Sequence, residues 1–150
     1  MLQKLIRRLD AARPYAPILI RVAFGYHIVQ YSYGEVLFLQ AHLGFAEYLG
    51  SLGVPFPKVM AYVAMGTEFF GGLLWIVGLW VRPAAFLLIG NFVTALLLVH
   101  LNLPYLKSFE AIQMLAVSLF LLVNGAGRLS VDHWLLERKM RRVEPMTGGG

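Results

Sequence analysis

One carboxyl side chain stands out because it lies within a long apolar segment. Glu68 has no Lys or Arg near it in the sequence, and small residues such as Ala64, Gly71 and Gly72 surround it. A charged side chain at membrane depth costs at least about 2.5 kcal/mol, so such a residue usually has a partner or a function. Small neighbours let a second helix approach closely. Two interpretations follow: a carboxyl that handles protons or binds a ligand, or a structural hydrogen bond between helices.

Further polar side chains occur at helical spacing in the first long apolar segment. His27 and Tyr31 are one turn apart, so they share a helix face, and Glu35 lies one turn beyond Tyr31. His100 follows in a later segment. The residues His27 and Tyr31 could line a polar cavity, with Glu68 and His100 as further candidate site residues, and Glu68 is the candidate catalytic residue. The alternative is that they are ordinary residues of helix–helix contacts.

Several kinds of chemistry are excluded by residue type and spacing. The chain has no cysteine, which excludes disulfide exchange and thiolate-held iron–sulfur clusters. It contains no His-x-x-x-His or Glu-x-x-His pair, so no metal site is predicted. Glycine-rich phosphate loops and nucleic-acid motifs are also missing, and no nucleic-acid partner is expected. Redox chemistry would therefore belong to a bound cofactor or to a partner protein.

The composition predicts that most of the surface does not face water. Of 150 residues, 59% are hydrophobic and only 14% charged, with a mean hydropathy of +0.67, whereas a soluble domain has about 25% charged residues. A membrane-spanning helix needs roughly 20 apolar residues. We therefore predict an all-α membrane protein, a four-transmembrane-helix bundle, with spans near residues 15–38, 59–81, 84–103 and 108–123.

The segments outside the spans complete the predicted organisation. Residues 1–14 form a basic, amphipathic cytoplasmic N-terminus, residues 15–127 the four-helix domain, and residues 128–150 a basic cytoplasmic tail. Residues 39–58 are rich in Phe, Leu, Gly and Pro, and they predict an interfacial helix in the first outer loop. Arg82 and Pro83 are expected to form the turn between the second and third spans, and Ser108 to cap the fourth.

The distribution of positive charge predicts the orientation. Of the 13 Lys and Arg residues, all except Lys58 and Lys107 fall in the N-terminal part, in the loop between the second and third spans, or in the tail. Lys and Arg favour the cytoplasmic side. We therefore expect a multi-pass protein of the bacterial cytoplasmic (inner) membrane with both termini in the cytoplasm.

Two motifs resemble those of the DoxX family of small bacterial membrane proteins. Residues 68–82 are similar to the family pattern E-x-x-G-G-x-x-L-x-x-G-L-x-x-R, with Trp75 at the position of an aliphatic residue. Residues 125–132 are similar to the pattern G-x-G-R-x-S-x-D, and residues 21–25 resemble the start of the family's first helix. The resemblance covers residues 16–134. It departs from the family at Ser32 and Glu35, where a glycine and a lysine are common.

The motif residues also have predicted structural roles. Gly125 and Gly127 end the last span, Ser130 or Asp132 caps a short following helix, and Arg82 pairs with Asp132. Arg128 is expected to meet the lipid headgroups. The residues predicted to be structural are Gly71, Gly72, Arg82, Arg128, Ser130 and Asp132.

The resemblance implies a role beside redox enzymes, because family members resemble subunits of thiosulfate:quinone oxidoreductase or accompany quinone-linked enzymes. Our first hypothesis is a non-catalytic accessory subunit of a membrane redox or electron-transfer complex that contacts quinone or lipid. The candidate quinone contacts under this resemblance are His27, Tyr31, Glu68 and His100. The alternatives are a quinone-reactive oxidoreductase subunit that uses Glu68, and a stand-alone membrane protein with a stress or transport role. The expected partners are the lipid bilayer and either the proteins of a membrane complex or further copies of this chain.

Overall fold

The computed structural model describes residues 1–99 and 103–143, and every regular element in this part of the chain is helical. The predicted all-α class is therefore confirmed. A short 3-10 turn, Arg13–Tyr15, joins the first two helices. The helices are α1 (Leu2–Ala12), α2 (Ala16–Leu37), α3 (Leu39–Ser51), α4 (Pro57–Val77), α5 (Val81–Leu98), α6 (Tyr105–Asn124) and α7 (Val131–Val143).

Prolines and glycines set most of the helix ends. Pro17 and Pro57 lie in the first turns of α2 and α4, where a missing N–H removes no helical hydrogen bond. Helix α4 ends at Gly78, whose φ of 77° is a left-handed conformation that glycine adopts without a steric penalty. Helix α6 ends before Gly125. The sequence therefore contains the stop signals that separate the long helices.

Four long helices form a ring in which chain neighbours are antiparallel. Helix α2 packs on α4, α4 on α5 and α5 on α6, and contacts between α6 and α2 close the ring. The core between them includes the fully buried side chains of Trp75, Leu88 and Leu121. Helix α3 packs on α4 and α2 at the end of the bundle where α4 begins. There a second, smaller core contains Ala46, Leu49 and Ala61.

Helices α2 and α4 approach each other closely where two glycines meet. A Cβ atom built on Gly72 of α4 would lie 2.5 Å from Ile28 Cγ2, 2.7 Å from Val29 Cγ2 and 2.8 Å from the carbonyl oxygen of Gly25. A Cβ atom on Gly25 of α2 would lie 2.8 Å from the carbonyl oxygen of Gly72. Small residues permit such backbone contact. The polar helix α2 is thereby held directly against α4.

Within the described residues, three helices are long and apolar enough to cross a membrane: α4, α5 and α6. At most 33% of their apolar windows is buried inside the bundle, so most of their apolar side chains face outward. This chain is a membrane protein by that measure. Helix α2, predicted as a fourth span, has sufficient length at 22 residues but is not in this apolar set because Arg21, His27 and Glu35 interrupt it.

Two predicted helix starts are wrong. The turn between α4 and α5 lies at residues 78–80, and Arg82 and Pro83 belong to the first turn of α5. Helix α6 begins at Tyr105 after Pro104, so Ser108 lies inside the helix rather than at its cap. Arg82, Pro83 and Ser108 are of types that often stand at a helix start, so the sequence predicted the starts there. Both helices begin earlier in the chain.

Candidate functional site

The central polar contact of the bundle joins α4 to α5. Glu68 lies near the middle of α4 and is only 5% exposed. Its Oε1 atom accepts a hydrogen bond of 2.8 Å from Nδ2 of Asn91 on α5. A buried carboxyl needs such a partner, because a buried polar group without one loses its hydrogen bonds to water at a cost of several kcal/mol. The contact therefore ties α4 to α5 at mid-bundle.

A second polar contact joins α2 to α6. Nε2 of His27 and Oε1 of Glu110 share a hydrogen bond of 2.8 Å. Unlike Glu68, both side chains are about half exposed, at 53% and 48%. The pair therefore lies on the outer wall of the ring, where α2 and α6 meet. Polar side chains at this position would face lipid if nothing covered them.

The two contacts belong to one polar cluster. Glu68 lies close enough to Glu110 and Glu35 for electrostatic interaction, and Tyr31 lies close enough to all three carboxyl groups. We call His27, Tyr31, Glu35, Glu68, Asn91 and Glu110 the mid-bundle polar cluster. The structure thus brings together three of the predicted quinone contacts. The fourth, His100, lies outside the described residues.

A groove opens beside the His27–Glu110 pair. It has a volume of about 260 Å³ and is lined by Ala23, Phe24, His27, Glu110, Gln113 and Met114. Ligand sites are typically apolar clefts with a few polar groups, at volumes of roughly 300 Å³ and above. The groove has that composition, and its volume lies just below that size range. Glu68 and Tyr31 do not line it.

The groove offers both polar and apolar contacts to a ligand. The ring of His27 and the amide of Gln113 can present hydrogen-bond donors to carbonyl oxygens, and Phe24 and Met114 offer apolar contact. Among residues 1–99 and 103–143, no three His, Asp or Glu side chains converge as metal ligands.

At one end of the ring, the two sequence motifs meet. Asp132 lies in the first turn of α7. Its carboxylate accepts hydrogen bonds from the amides of Trp80 (2.8 Å) and Val81 (3.0 Å) at the start of α5. Its own amide donates to the carbonyl oxygen of Gly78 (3.0 Å). A carboxylate at a helix N-terminus satisfies otherwise unpaired N–H groups and favours the helix dipole. We call residues 78–82 with residues 125–132 the motif clasp.

Two arginines complete the motif clasp. The guanidinium of Arg21 is buried, donates to the carbonyl oxygen of Leu129, and interacts electrostatically with Asp132. Arg82 donates from Nη2 to the carbonyl oxygen of Val123 at 3.2 Å. The predicted Arg82–Asp132 ion pair is not among those of the described residues, because Asp132 instead binds the α5 amides.

The remaining motif residues, Ser130, Arg128 and Gly71, make three further contacts. Ser130 caps α7, since its Oγ accepts a hydrogen bond of 3.1 Å from the amide of His133. The amide of Arg128 donates to the carbonyl oxygen of Pro14 at 2.9 Å. Gly71 faces Leu88, whose Cδ1 would lie 2.9 Å from a Cβ atom built on Gly71. The contacts of Arg128 and Gly71 join segments that are distant in the sequence, whereas the Ser130 cap is local.

A buried histidine in α3 was not singled out from the sequence. His42 is 1% exposed and stacks on Tyr62 of α4, with ring centroids 3.4 Å apart. Within the described residues, neither of its ring nitrogens has a hydrogen-bond partner. Its position in a connecting segment gave no signal, because burial there depends on how α3 folds back on α4.

Comparison with known proteins supports the resemblance. The sequence model of the DoxX family matches residues 16–101, a range that includes the motif at 68–82 but ends before the motif at 125–132. The chain is also similar to a protein of Bacillus subtilis (strain 168) named "Putative oxidoreductase CatD". The two are 30% identical over 123 residues, which cover 81% of this chain and 88% of the relative. No solved structure is significantly similar to the chain.

Proposed function

Because this chain belongs to the DoxX family, we propose that it is an accessory subunit of a membrane redox or electron-transfer complex and contacts quinone. The oxidoreductase name of its relative CatD supports the redox setting. The chain has no cysteine and so no thiolate redox centre of its own. In this role, a partner protein carries the electron-transfer cofactor, and this chain shapes the membrane-embedded surface beside it.

The observation that carries the proposal is the His27–Glu110 pair. Polar groups within a bilayer are costly unless they face protein, water or a polar ligand. The pair is half exposed on the outer wall of the ring and borders the groove between α2 and α6. A quinone ring or the helix of a partner subunit would cover it and supply hydrogen bonds.

The proposal includes a topology of four membrane spans, with α2 as the fourth. At a rise of about 1.5 Å per residue, α2 is long enough to cross the hydrocarbon core. It lies antiparallel to α4, and its buried polar residues Arg21 and Ser32 face protein. The amphipathic α3 then lies at the outer interface, and both termini lie in the cytoplasm of the bacterial inner membrane.

The test is what copurifies with the chain in mild detergent. We expect a larger complex that contains an oxidoreductase, with quinone detected by mass spectrometry of the extract. The variants His27→Ala and Gln113→Leu should each reduce bound quinone by at least several-fold. Thr94→Val is the control, since Thr94 lies on α5 and bonds only to the carbonyl oxygen of Gly90. Wild-type quinone levels in both groove variants would reject the groove as its site.

A second candidate function is favoured by the position of Glu68. Its carboxyl lies within electrostatic reach of Glu110, which borders the groove. A quinone-reactive subunit could therefore use Glu68 to supply or accept a proton. Under this alternative, Glu68→Gln abolishes quinone turnover while leaving bound quinone unchanged. Under the accessory role, Glu68→Gln leaves both turnover by the complex and bound quinone near wild type.

A further inference from the structure

Helix α1 carries an apolar stripe that the bundle leaves uncovered. Leu2, Ile6 and Leu9 are spaced four and three residues apart, so they lie on one face. They are 69%, 48% and 61% exposed. The main contacts of α1 are with the 3-10 turn that follows it. Lys4 and its basic neighbours at positions 7 and 8 lie on the remaining faces.

Helix α7 has a related character at the other end of the chain. Leu136 and Met140 are one turn apart and more than half exposed. The guanidinium of Arg138 lies over the ring of Trp134, 4.2 Å from its centroid. Positions 139 and 141 are also basic. Aromatic, aliphatic and basic side chains together are typical of helices that lie in a membrane interface.

The two helices leave the bundle from the same end. The 2.9 Å hydrogen bond between the Arg128 amide and the Pro14 carbonyl joins the segment before α7 to the 3-10 turn after α1. That end also contains the start of α5 and the end of α4. Pro14 lies in the 3-10 turn and Pro17 in the first turn of α2, and their missing amides interrupt the helical hydrogen bonding between α1 and α2.

We propose that α1 and α7 together form a basic platform that binds the anionic phospholipid headgroups of the adjacent membrane surface. If the helices instead extended into water, the stripe of α1 and the exposed Leu136 and Met140 would remain hydrated. Lying on the surface buries these apolar side chains, while long Lys and Arg side chains reach the phosphates.

Charge complementarity favours anionic lipid as the occupant. The acidic residues of the platform have basic neighbours: Asp10 lies 3.5 Å from Arg13, and Glu137 lies 3.1 Å from His133. The basic residues at positions 4, 7, 8, 139 and 141 have no ion pair among those found for the described residues. An anionic membrane surface attracts each such cation. The basic residues at the far end of the bundle are Lys58 and Lys107.

The first test measures whether α1 enters the lipid. Because the chain has no cysteine, Leu9→Cys provides a unique site for a fluorescent probe on the apolar stripe. Ala11→Cys provides the matched control on the opposite face. In nanodiscs that contain phosphatidylglycerol, brominated lipid should quench the Leu9 probe several-fold more than the Ala11 probe. A Met140→Cys probe should be quenched like the Leu9 probe if α7 shares the platform.

The second test measures the dependence on charge. Quenching of the Leu9 and Met140 probes should fall in nanodiscs of phosphatidylcholine alone, and added salt should reduce it in anionic nanodiscs. Replacing Lys4, Arg7 and Arg8 together by Gln should shift the inserted-to-free equilibrium of α1 by about fivefold per cation. The double variant Lys58→Gln/Lys107→Gln is the control and should behave like the wild type.

Three outcomes would overturn the proposal. The first is equal exposure of the Leu9 and Ala11 probes to water in anionic nanodiscs. The second is equal insertion with and without phosphatidylglycerol, which would leave no role for the headgroup charge. The third is protection of the Leu9 or Met140 probe only when another protein copurifies, which would make the platform a protein-binding surface. None of these readouts depends on quinone, so the accessory role is tested separately.

Discussion

At the scale of single residues, a charged residue within an apolar segment could be recognised from the sequence, but the residues that it contacts could not be predicted. Glu68 could be singled out because ionisable residues are rare in such segments. Asn91 and Glu110 could not be identified as members of the same cluster. Their contacts depend on the rotation and vertical register of α5 and α6 against their neighbours, and one chain's sequence does not contain that information directly. The one sequence feature that could have identified Glu110 is that it is an acidic residue near the start of an apolar segment.

The hydrogen bond between Glu68 and Asn91 predicts two different effects at one position. Glu68→Gln keeps an acceptor oxygen, so the thermal midpoint in detergent should stay near that of the wild type. Glu68→Ala leaves the Asn91 amide without its partner and should destabilise the bundle by about 1–3 kcal/mol. When each Glu68 variant is combined with Asn91→Ala, most of the difference in stability between the two Glu68 variants should disappear. Equal destabilisation by Gln and Ala would show that the hydrogen bond is not what stabilises this site.

Gly78 should tolerate no side chain. Its φ of 77° already disfavours any other residue, and a Cβ atom there would overlap Nη1 of Arg21. Gly78→Ala should therefore lower stability by more than about 1 kcal/mol. Gly90→Ala is the matched control, because nothing lies within 4 Å of its Cβ position, and it should be neutral or stabilising. Thermal unfolding of both variants in the same detergent measures the difference.

At the scale of elements, apolar runs and Pro or Gly punctuation were sufficient to locate the long helices. They were not sufficient to locate the start of α5, because its amides are capped by Asp132, which lies 51 residues beyond Val81. A cap supplied from so far along the chain leaves no local pattern. The sequence predicted α7 only as a short helix after Ser130, because the charged residues of α7 obscure its apolar spacing.

The crossing of α2 over α4 should depend on Gly72. A methyl group there would press on Ile28, Val29 and the backbone of Gly25, so Gly72→Ala should force the helices apart and destabilise by about 1–3 kcal/mol. Gly66→Ala in the same helix has open space around it and serves as control. Cysteine cross-linking between α2 and α4 should become slower in the Gly72 variant alone. Unchanged cross-linking and stability would show that the contact is not tight.

Asp132 should stabilise the start of α5. Asp132→Ala removes the acceptors of the Trp80 and Val81 amides and should cost about 1–2 kcal/mol, whereas Asp132→Asn retains one carbonyl acceptor and should cost less. Hydrogen exchange at the two amides should quicken in the same order. Asp10→Asn changes an exposed acid of α1 and should leave that exchange as it is. Slow exchange in Asp132→Ala would mean that another group caps α5.

At the scale of the whole molecule, the proposed four-span topology predicts which positions a reagent can reach from outside the cell. A membrane-impermeant thiol reagent applied to intact spheroplasts should label Lys58→Cys and Lys107→Cys but not Gln3→Cys or Arg138→Cys. The wild type lacks cysteine and provides the background. Labelling of Gln3→Cys before lysis would place the N-terminus outside and exclude this topology.

The motif clasp also has a consequence for biosynthesis. Residues 129–132 emerge from the ribosome after all four long helices, yet they supply the acceptors for Trp80, Val81 and Arg21. Until they emerge, the nascent protein holds a buried arginine and a helix start that lack these partners. The contacts that Arg21 and the start of α5 make with these residues therefore form only after residues 129–132 have emerged. A product truncated before Leu129 would lack the acceptors for the Arg21 guanidinium and for the first amides of α5.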